Sequence, residues 1–536
     1  MKKTLVIFIA GIICAGVSQA QNLTISKDVE KVAITMAIIE NSYVDSVDTK
    51  KLSEDVIKAA LEKLDPHSSY ISTDELQRMN EPLDGNFEGI GISFNIMRDT
   101  LFVIETISGG PSERVGLQPG DRIIAVNDSI IAGRNKPTTE IMSLLRGKKG
   151  TEVRIKVLRR NNPNLIDFKI IRDKIPIYSL EAAYMVNDSI GYIQLSRFGA
   201  TTFKEFKDAC KKLQDKGMKR LILDLESNGG GYMESAIYIV NEFLKQRQLI
   251  VYTEGKHQPR LTADAFGKGT LNDTKLVIMI NERSASASEI VAGAIQDWDR
   301  GVIVGRRSFA KGLVQQQREL PDGSAIRLTV ARYYTPSGRS IQKPYKYGDS
   351  EAYQLDILDR YNKGEMMSAD SIHLSDSLKY KTLVNKRTVY GGGGIMPDQF
   401  VPMDTTYHSN YMSKLVYAGI VNQTVLNEVD IHRKQYVEKY PDAASFIKDF
   451  TISDEILDKV KQAADKEKIE FDEDQYNKSL PLLKLQMKAL MGRDLFNNET
   501  LLRIMNSENE TYQKAVEIIQ DTQLYNSLLT APQEDK

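Results

Sequence analysis

Between residues 173 and 400 the chain alternates apolar strand-like runs with apolar helix-like runs, an order that few architectures accept. Ile190 to Leu195, Arg220 to Leu225 and Lys275 to Ile280 read as strands, and Phe203 to Leu213, Met233 to Leu244 and Ser286 to Gln296 as helices. Strand, helix and strand in succession need crossover connections, so part of the sheet is parallel and the class is α/β. Two strand-to-helix junctions are unusual. Ser227-Asn228-Gly229-Gly230-Gly231 opens one helix, and Asn281-Glu282-Arg283-Ser284-Ala285-Ser286-Ala287-Ser288 opens another. A less regular stretch, 343–390, interrupts the pattern before Gly391-Gly392-Gly393-Gly394-Ile395-Met396-Pro397-Asp398 closes it.

These junctions are chemically suggestive. A helix N-terminus offers free N–H groups and a positive dipole, which suit a developing oxyanion, although serine there is also a preferred cap. Bare glycine backbone lets a substrate carbonyl come close. Downstream, Ser308-Phe309-Ala310-Lys311-Gly312-Leu313-Val314-Gln315 sets a lysine among small and apolar residues. A lysine acting as general base must be neutral, so its pKa must fall by roughly 3 units from about 10.4. Burial does that; an exposed surface lysine keeps its proton.

The remaining chain divides by composition. Met1-Lys2-Lys3, an apolar run to Val17 and Ser18-Gln19-Ala20 read as a secretory leader over 1–20, which predicts export. Its removal leaves 69 basic against 72 acidic residues, a net charge of −3, with no basic field for nucleic acid. Cys14 would leave with the leader, so Cys210 would stand alone. The histidines are scattered without ligand spacing, and no cofactor or metal is expected. Residues 21–84 read as helical, with one stripe through Val29, Val32, Ala33, Met36, Ile39 and Tyr43. A second stripe runs from Leu52 to Leu64, with Ser53 as a candidate cap. Residues 401–536 also read as a helical domain, to which the sequence assigns no chemistry. Residues 85–172 carry Gly89-Ile90-Gly91-Ile92 and the run GLQPGDRIIAVND, and resemble a bacterial PDZ domain. In such a domain the N–H groups of Gly89 to Ile92 hold a terminal carboxylate while the tail adds to a sheet edge.

The run NERSASASEIVAGAIQDWDRGVIVGRRSFAKGLVQQ resembles the active-site region of the C-terminal processing peptidases, also called tail-specific proteases. The resemblance spans about 40 to 400 and includes YVDSVD, LDPHSSY and VYGGGGIMPD. It implies a crotonase/ClpP-like α/β core (173–400) behind the PDZ domain, with Ser286 as nucleophile and Lys311, 25 residues on, as base. Gln315 would orient the lysine, and Ala287 with a glycine of the 229–231 turn, taken as Gly230, would supply oxyanion N–H groups. Two positions depart from the family pattern: Ala310 stands for glycine and Glu226 for arginine. Alanine is tolerable at 310 unless the backbone there needs φ > 0.

A periplasmic serine endopeptidase selecting proteins by an apolar C-terminus is therefore expected. Self-association through the helical regions is plausible, and no residue supports an adaptor protein. The alternative is a catalytically weak or inactive PDZ scaffold. A trypsin-like enzyme is disfavoured because no GNSGG-type serine occurs, and an acyl-CoA hydratase relative because of the leader and the PDZ features.

Overall fold

The computed structural model describes residues 26–97, 99–160 and 162–531; the expected leader lies outside them. Its centre is a six-stranded sheet in the order Leu180–Met185, Ile190–Leu195, Arg220–Asp224, Lys275–Ile280, Val302–Gly305, Gln399–Phe400. The first pair is antiparallel and the others are parallel. Successive side chains in a strand face opposite sides, and here both sides are covered. Ile193, Leu195, Leu221, Leu223, Leu276 and Ile278 pack with the helices Thr202–Asp215, Met233–Asn241 and Ala287–Asp297.

The alternate residues Tyr192, Ile222, Val277, Met279, Val302 and Val304 meet Ala515, Ile518, Ile519 and Tyr525. Those four belong to the helices Glu510–Gln520 and Thr522–Leu528, the last among the described residues. The helical C-terminal region expected as one unit thus divides. Residues from Tyr411 to Ile504 enclose their own core around Leu415, Val425, Phe446, Val460 and Met487, while the final two helices roof the central sheet.

A second sheet joins Leu249–Gly255, Gln258–Asp264, Leu313–Glu319 and Ala325–Tyr334. Its edge is Ser69–Ile71, antiparallel to Ala325–Tyr334, so the N-terminal region read as helical contains a strand. Around that strand lie the helices Lys27–Ser42, Thr49–Glu62 and Thr73–Asp84; the cap of the second is Asp48, which accepts from Lys51 N–H at 3.0 Å, and not Ser53. The apolar stripe of the first helix buries no residue.

The PDZ region forms a sheet in the order Ile92–Met97, Thr100–Thr106, Arg122–Val126, Glu152–Leu158, Ile166–Ile171, with Ile92–Met97 on an open edge beside the helix Thr138–Leu145. It docks on the helix Ile420–Lys439 through Met97, Phe102 and Leu426. Asp430 pairs there with Arg122 at 2.7 Å and Arg160 at 3.2 Å.

The C-terminal end of the helix Ala287–Asp297 is fixed by an ion pair without solvent contact. Arg339 lies 2.8 Å from Asp297, and both side chains are 0% exposed. Arg339 also donates to Gln296 and to the Tyr390 carbonyl, and Asp297 accepts the Ser337 N–H. Removing one partner leaves the other charge buried and alone. Arg339→Met is expected to cost about 3–5 kcal/mol in chemical denaturation, and a loss below about 1 kcal/mol would contradict the assignment.

Candidate active site

Ser286 begins the helix Ala287–Asp297 straight after the turn that ends the strand Lys275–Ile280. Its backbone sits at φ 55 and ψ −111, a conformation that residues with a Cβ adopt only under constraint. Gly230 makes room for it: a Cβ on Gly230 would lie 2.8 Å from Ser286 Cβ and 2.7 Å from the Ala285 carbonyl. The flanking serines tie the same two segments together. Ser284 Oγ donates to the Leu225 carbonyl at 2.7 Å and Ser288 Oγ to the Asn228 carbonyl at 2.8 Å.

Lys311 precedes the strand Leu313–Glu319 and gives its amine to Gln315 Oε1 at 2.9 Å. Gln315 is held in turn, its Nε2 donating to the main-chain carbonyl of His67 at 2.6 Å. Asp65 shapes the loop that presents this carbonyl, accepting from His67 N–H (2.8 Å), Ser68 N–H (3.0 Å) and Thr329 Oγ1 (3.0 Å). Burial holds the Lys311 amine below its ordinary value; Arg327 pushes the same way, and Glu289 and Asp65 oppose. The His67 ring, buried and near Lys311 and Lys343, is lowered to about 4 and is neutral at physiological pH.

Serine and lysine are brought to one place by their main chains. Glu289 Oε2 accepts the N–H of Ser286 at 2.8 Å and of Lys311 at 2.9 Å. Its Oε1 accepts the Ala310 N–H at 2.7 Å and the Ser308 hydroxyl at 2.5 Å. On the other side the Tyr333 hydroxyl bridges the carbonyls of Lys311 (2.7 Å) and Ser286 (3.1 Å). Glu289 is fully buried, and burial pushes its carboxyl up to about 7 against the pull of these donors. Among the described residues no hydrogen bond joins Ser286 Oγ to Lys311 Nζ directly; such contacts commonly tighten only with substrate bound.

The Ala287 N–H donates to nothing among the described residues and points from the helix start, as an oxyanion donor requires. Gly230 departs from expectation. Its N–H is taken by Asn228 Oδ1 at 2.9 Å, because the asparagine side chain folds back over the turn. The neighbouring amides of Gly229 and Gly231 donate to nothing among the described residues, which leaves them as candidate donors of this turn. Ala310 does need a positive backbone angle, φ 75, so the residue that replaces glycine there is strained. In the PDZ loop the Ile90 carbonyl is fixed by Ser112 N–H and Oγ, while the N–H groups of Ile90 and Gly91 donate to nothing among the described residues. Ile90 and Gly91 line a cavity of about 190 Å³ together with Phe87, Ile92, Phe94, Met142, Leu145 and Arg146. Gly89 pairs with Asp173 at the end of the strand Asn86–Gly89, and Ile92 opens the edge strand.

The sequence marks Glu289 for no more than structural support, and it does not point to Tyr333, the Asn228 side chain or the His67 carbonyl. Glu289 was findable, being an acid three residues into a helix that begins with serine. We expect Glu289→Gln to lower kcat by about 10- to 100-fold with KM unchanged, since an amide turns an N–H toward donors and shifts the pair. Steady-state kinetics check this; an unchanged kcat refutes the bracing role.

Four family models match the chain. They are peptidase family S41 (residues 189–349), the PDZ domain (89–170), the activating protease CtpB N-terminal domain (14–75) and a family of unknown function, DUF8443 (411–497). The carboxy-terminal processing protease CtpA of Bacillus subtilis is 36% identical over 306 residues, 57% of this chain and 65% of that protein, so the chain spans just under two thirds of it. The carboxy-terminal-processing protease of Bartonella bacilliformis is 34% identical over 355 residues, 64% of this chain and 81% of that protein. Among solved structures, a photosystem II D1 C-terminal processing protease is 25% identical, covering 59% of this chain and 91% of its own, with a TM-score of 0.34.

Proposed function

The chain belongs to the carboxy-terminal processing proteases of peptidase family S41, and from that premise we propose that it hydrolyses peptide bonds with Ser286 as nucleophile and Lys311 as base. The observation that carries this reading is the pinning of both main chains on one Glu289 oxygen, with the buried lysine amine aimed by Gln315. Neutral Lys311 takes the Ser286 proton as Oγ attacks the scissile carbonyl. The oxyanion is held by the Ala287 N–H and a free amide of the Gly229–Gly231 turn. The protonated lysine then gives its proton to the leaving amine, leaving an ester on Ser286. Water, activated by the same lysine, cleaves the ester and restores the serine.

Substrates are taken to be proteins with an apolar C-terminus. Their carboxylate would meet the N–H groups of Ile90 and Gly91, their last side chain the adjoining cavity, and their backbone the open edge of Ile92–Met97. The basic and apolar start of the sequence supports export, with the protein acting in the periplasm.

Cleavage of an unfolded protein with a free apolar tail tests the proposal. Wild type is expected to cut, and Ser286→Ala and Lys311→Ala to lose about 10³-fold or more in kcat. Because the Lys311 amine is lowered by burial, the rise of kcat/KM with pH should have its midpoint below the ordinary lysine value of about 10.4. Amidating the substrate tail should raise KM. Equal cutting by both variants would sink the dyad, and no cutting by any form would favour the PDZ scaffold.

A further inference from the structure

Glu226, the residue standing where the family pattern has arginine, ends the strand side of the oxyanion turn and takes no part in the chemistry above. Partly buried, it lies two residues after Asp224, whose Oδ1 accepts the Glu226 N–H at 2.8 Å. Its own Oε2 accepts Asn509 Nδ2 at 3.3 Å. Asn509 caps the helix Glu510–Gln520, which lies on the central sheet, with its Oδ1 accepting Tyr512 N–H at 3.1 Å. The residue after Glu226, Ser227, sits at φ 58 and gives its N–H to Asn281 Oδ1 at 2.9 Å. Asn281 Oδ1 also accepts Arg283 N–H, and the Asn281 N–H donates to Ser284 Oγ, two residues from the nucleophile. One residue further, Asn228 holds Gly230 N–H and receives Ala285 N–H on its carbonyl.

We propose that Glu226 is a positioning residue for peptide-bond hydrolysis, through which the C-terminal helix cap at Asn509 fixes the Ser227–Gly231 turn against the nucleophile, and that it does so in its protonated form. This rests on the Ser286 and Lys311 reading. Three carboxylates crowd the position: Asp224 on the same strand, Glu226 itself, and Glu282 after the strand Lys275–Ile280. The cation facing them is Arg306, already paired with Glu282 at 2.8 Å. Asp224 is satisfied by Tyr192 Oη at 2.5 Å and Gln194 Nε2 at 2.9 Å and has no cation of its own. Neighbouring like charges largely withdrawn from water do not all ionise. Burial and the Asp224 charge raise the Glu226 carboxyl well above the usual carboxylate range. A neutral Glu226 sits against Asn509 and Asp224 without repulsion. Its ionisation as pH rises sets two anions two residues apart at the base of the turn, which loosens the turn and lowers kcat. An arginine at this position would carry no such alkaline dependence.

The test compares the full chain with Glu226→Gln, Asn509→Ser and Ser286→Ala on the unfolded protein substrate. Glutamine mimics the protonated acid, and serine keeps the cap but has no amide to reach Glu226. At about pH 7 and about pH 9.5, which bracket the roughly 8–9 of documented buried glutamates, the Glu226→Gln to wild-type ratio of kcat should go from near one to about fivefold or more. Asn509→Ser should lower kcat by about three- to tenfold with KM and melting unchanged, the range of a coupling carried through one packed contact. A flat ratio across the two pH values, or an Asn509→Ser enzyme with wild-type kcat, overturns the proposal. Inactivity of Ser286→Ala in the same assay keeps the dyad standing when that happens; cleavage by Ser286→Ala overturns both.

Discussion

The arrangement depends on a buried carboxylate that has no counter-cation. Glu289 is surrounded by three main-chain N–H groups and one hydroxyl, all drawn to its two oxygens. A carboxylate in the interior is tolerated only when its lone pairs are filled, and here dipoles do what a cation does elsewhere. The consequence is geometric. Two segments that begin 25 residues apart in sequence must bring their backbones to the same atom, and each takes a strained angle to do so: φ 55 at Ser286 and φ 75 at Ala310. At Ala310 the strain has an evident cause, because its N–H must reach Glu289 while its carbonyl receives the Lys343 N–H at 3.1 Å. A left-handed alanine costs about 1–2 kcal/mol, a fraction of what an unfilled Glu289 would cost.

Around that centre, each of the flanking regions contributes a part that the α/β core lacks. The N-terminal arm supplies the edge strand Ser69–Ile71 and the carbonyl that fixes Gln315. The C-terminal helices supply the second cover of the sheet, and without them Tyr192, Val277 and Met279 would face water. The PDZ region is held by charge and by apolar contact to a helix of the C-terminal core. The site is thus assembled from residues as far apart as His67 and Asn509, and its precision is a property of the whole chain.

What the sequence revealed and what it hid follow from the kind of signal each residue carries. Ser286, Lys311 and Gln315 stand in local patterns where residue type and position speak together, so the sequence singles them out as candidates. The roof of the sheet was announced indirectly: LVIMI (276–280) and VIVG are apolar at every position, which only a strand covered on both faces needs, yet nothing in them says which helices do the covering. The His67 carbonyl was beyond reach, since a main-chain acceptor is the same for every residue type. Gly230 misled because glycine signals closeness and not a free N–H; the neighbouring Asn228 competes for that donor, and its side chain wins in a turn this tight. The strand Ser69–Ile71 was hidden by its length, three residues between two helices.

The electrostatics around Lys311 complete the picture. In the proposed mechanism Lys311 receives a proton, which needs a surrounding that disfavours its charge, and desolvation is the largest such influence here. Arg327 adds to it, and Lys343 joins in keeping the nearby His67 ring neutral. Two carboxylates, Glu289 and Asp65, work against this, but the oxygens of Glu289 are turned to main-chain donors of the very residues it positions, and Asp65 is engaged by the His67 and Ser68 N–H groups and the Thr329 hydroxyl. Lys343 in turn is engaged by Asp356 at 2.7 Å and by the face of Tyr353 at 3.9 Å, which keeps a second ammonium near the site without letting it occupy the acceptor on Gln315. One amine is left with a single fixed acceptor and few reasons to stay charged. The sheet edge, the histidine loop and the glutamate brace all converge on producing that state.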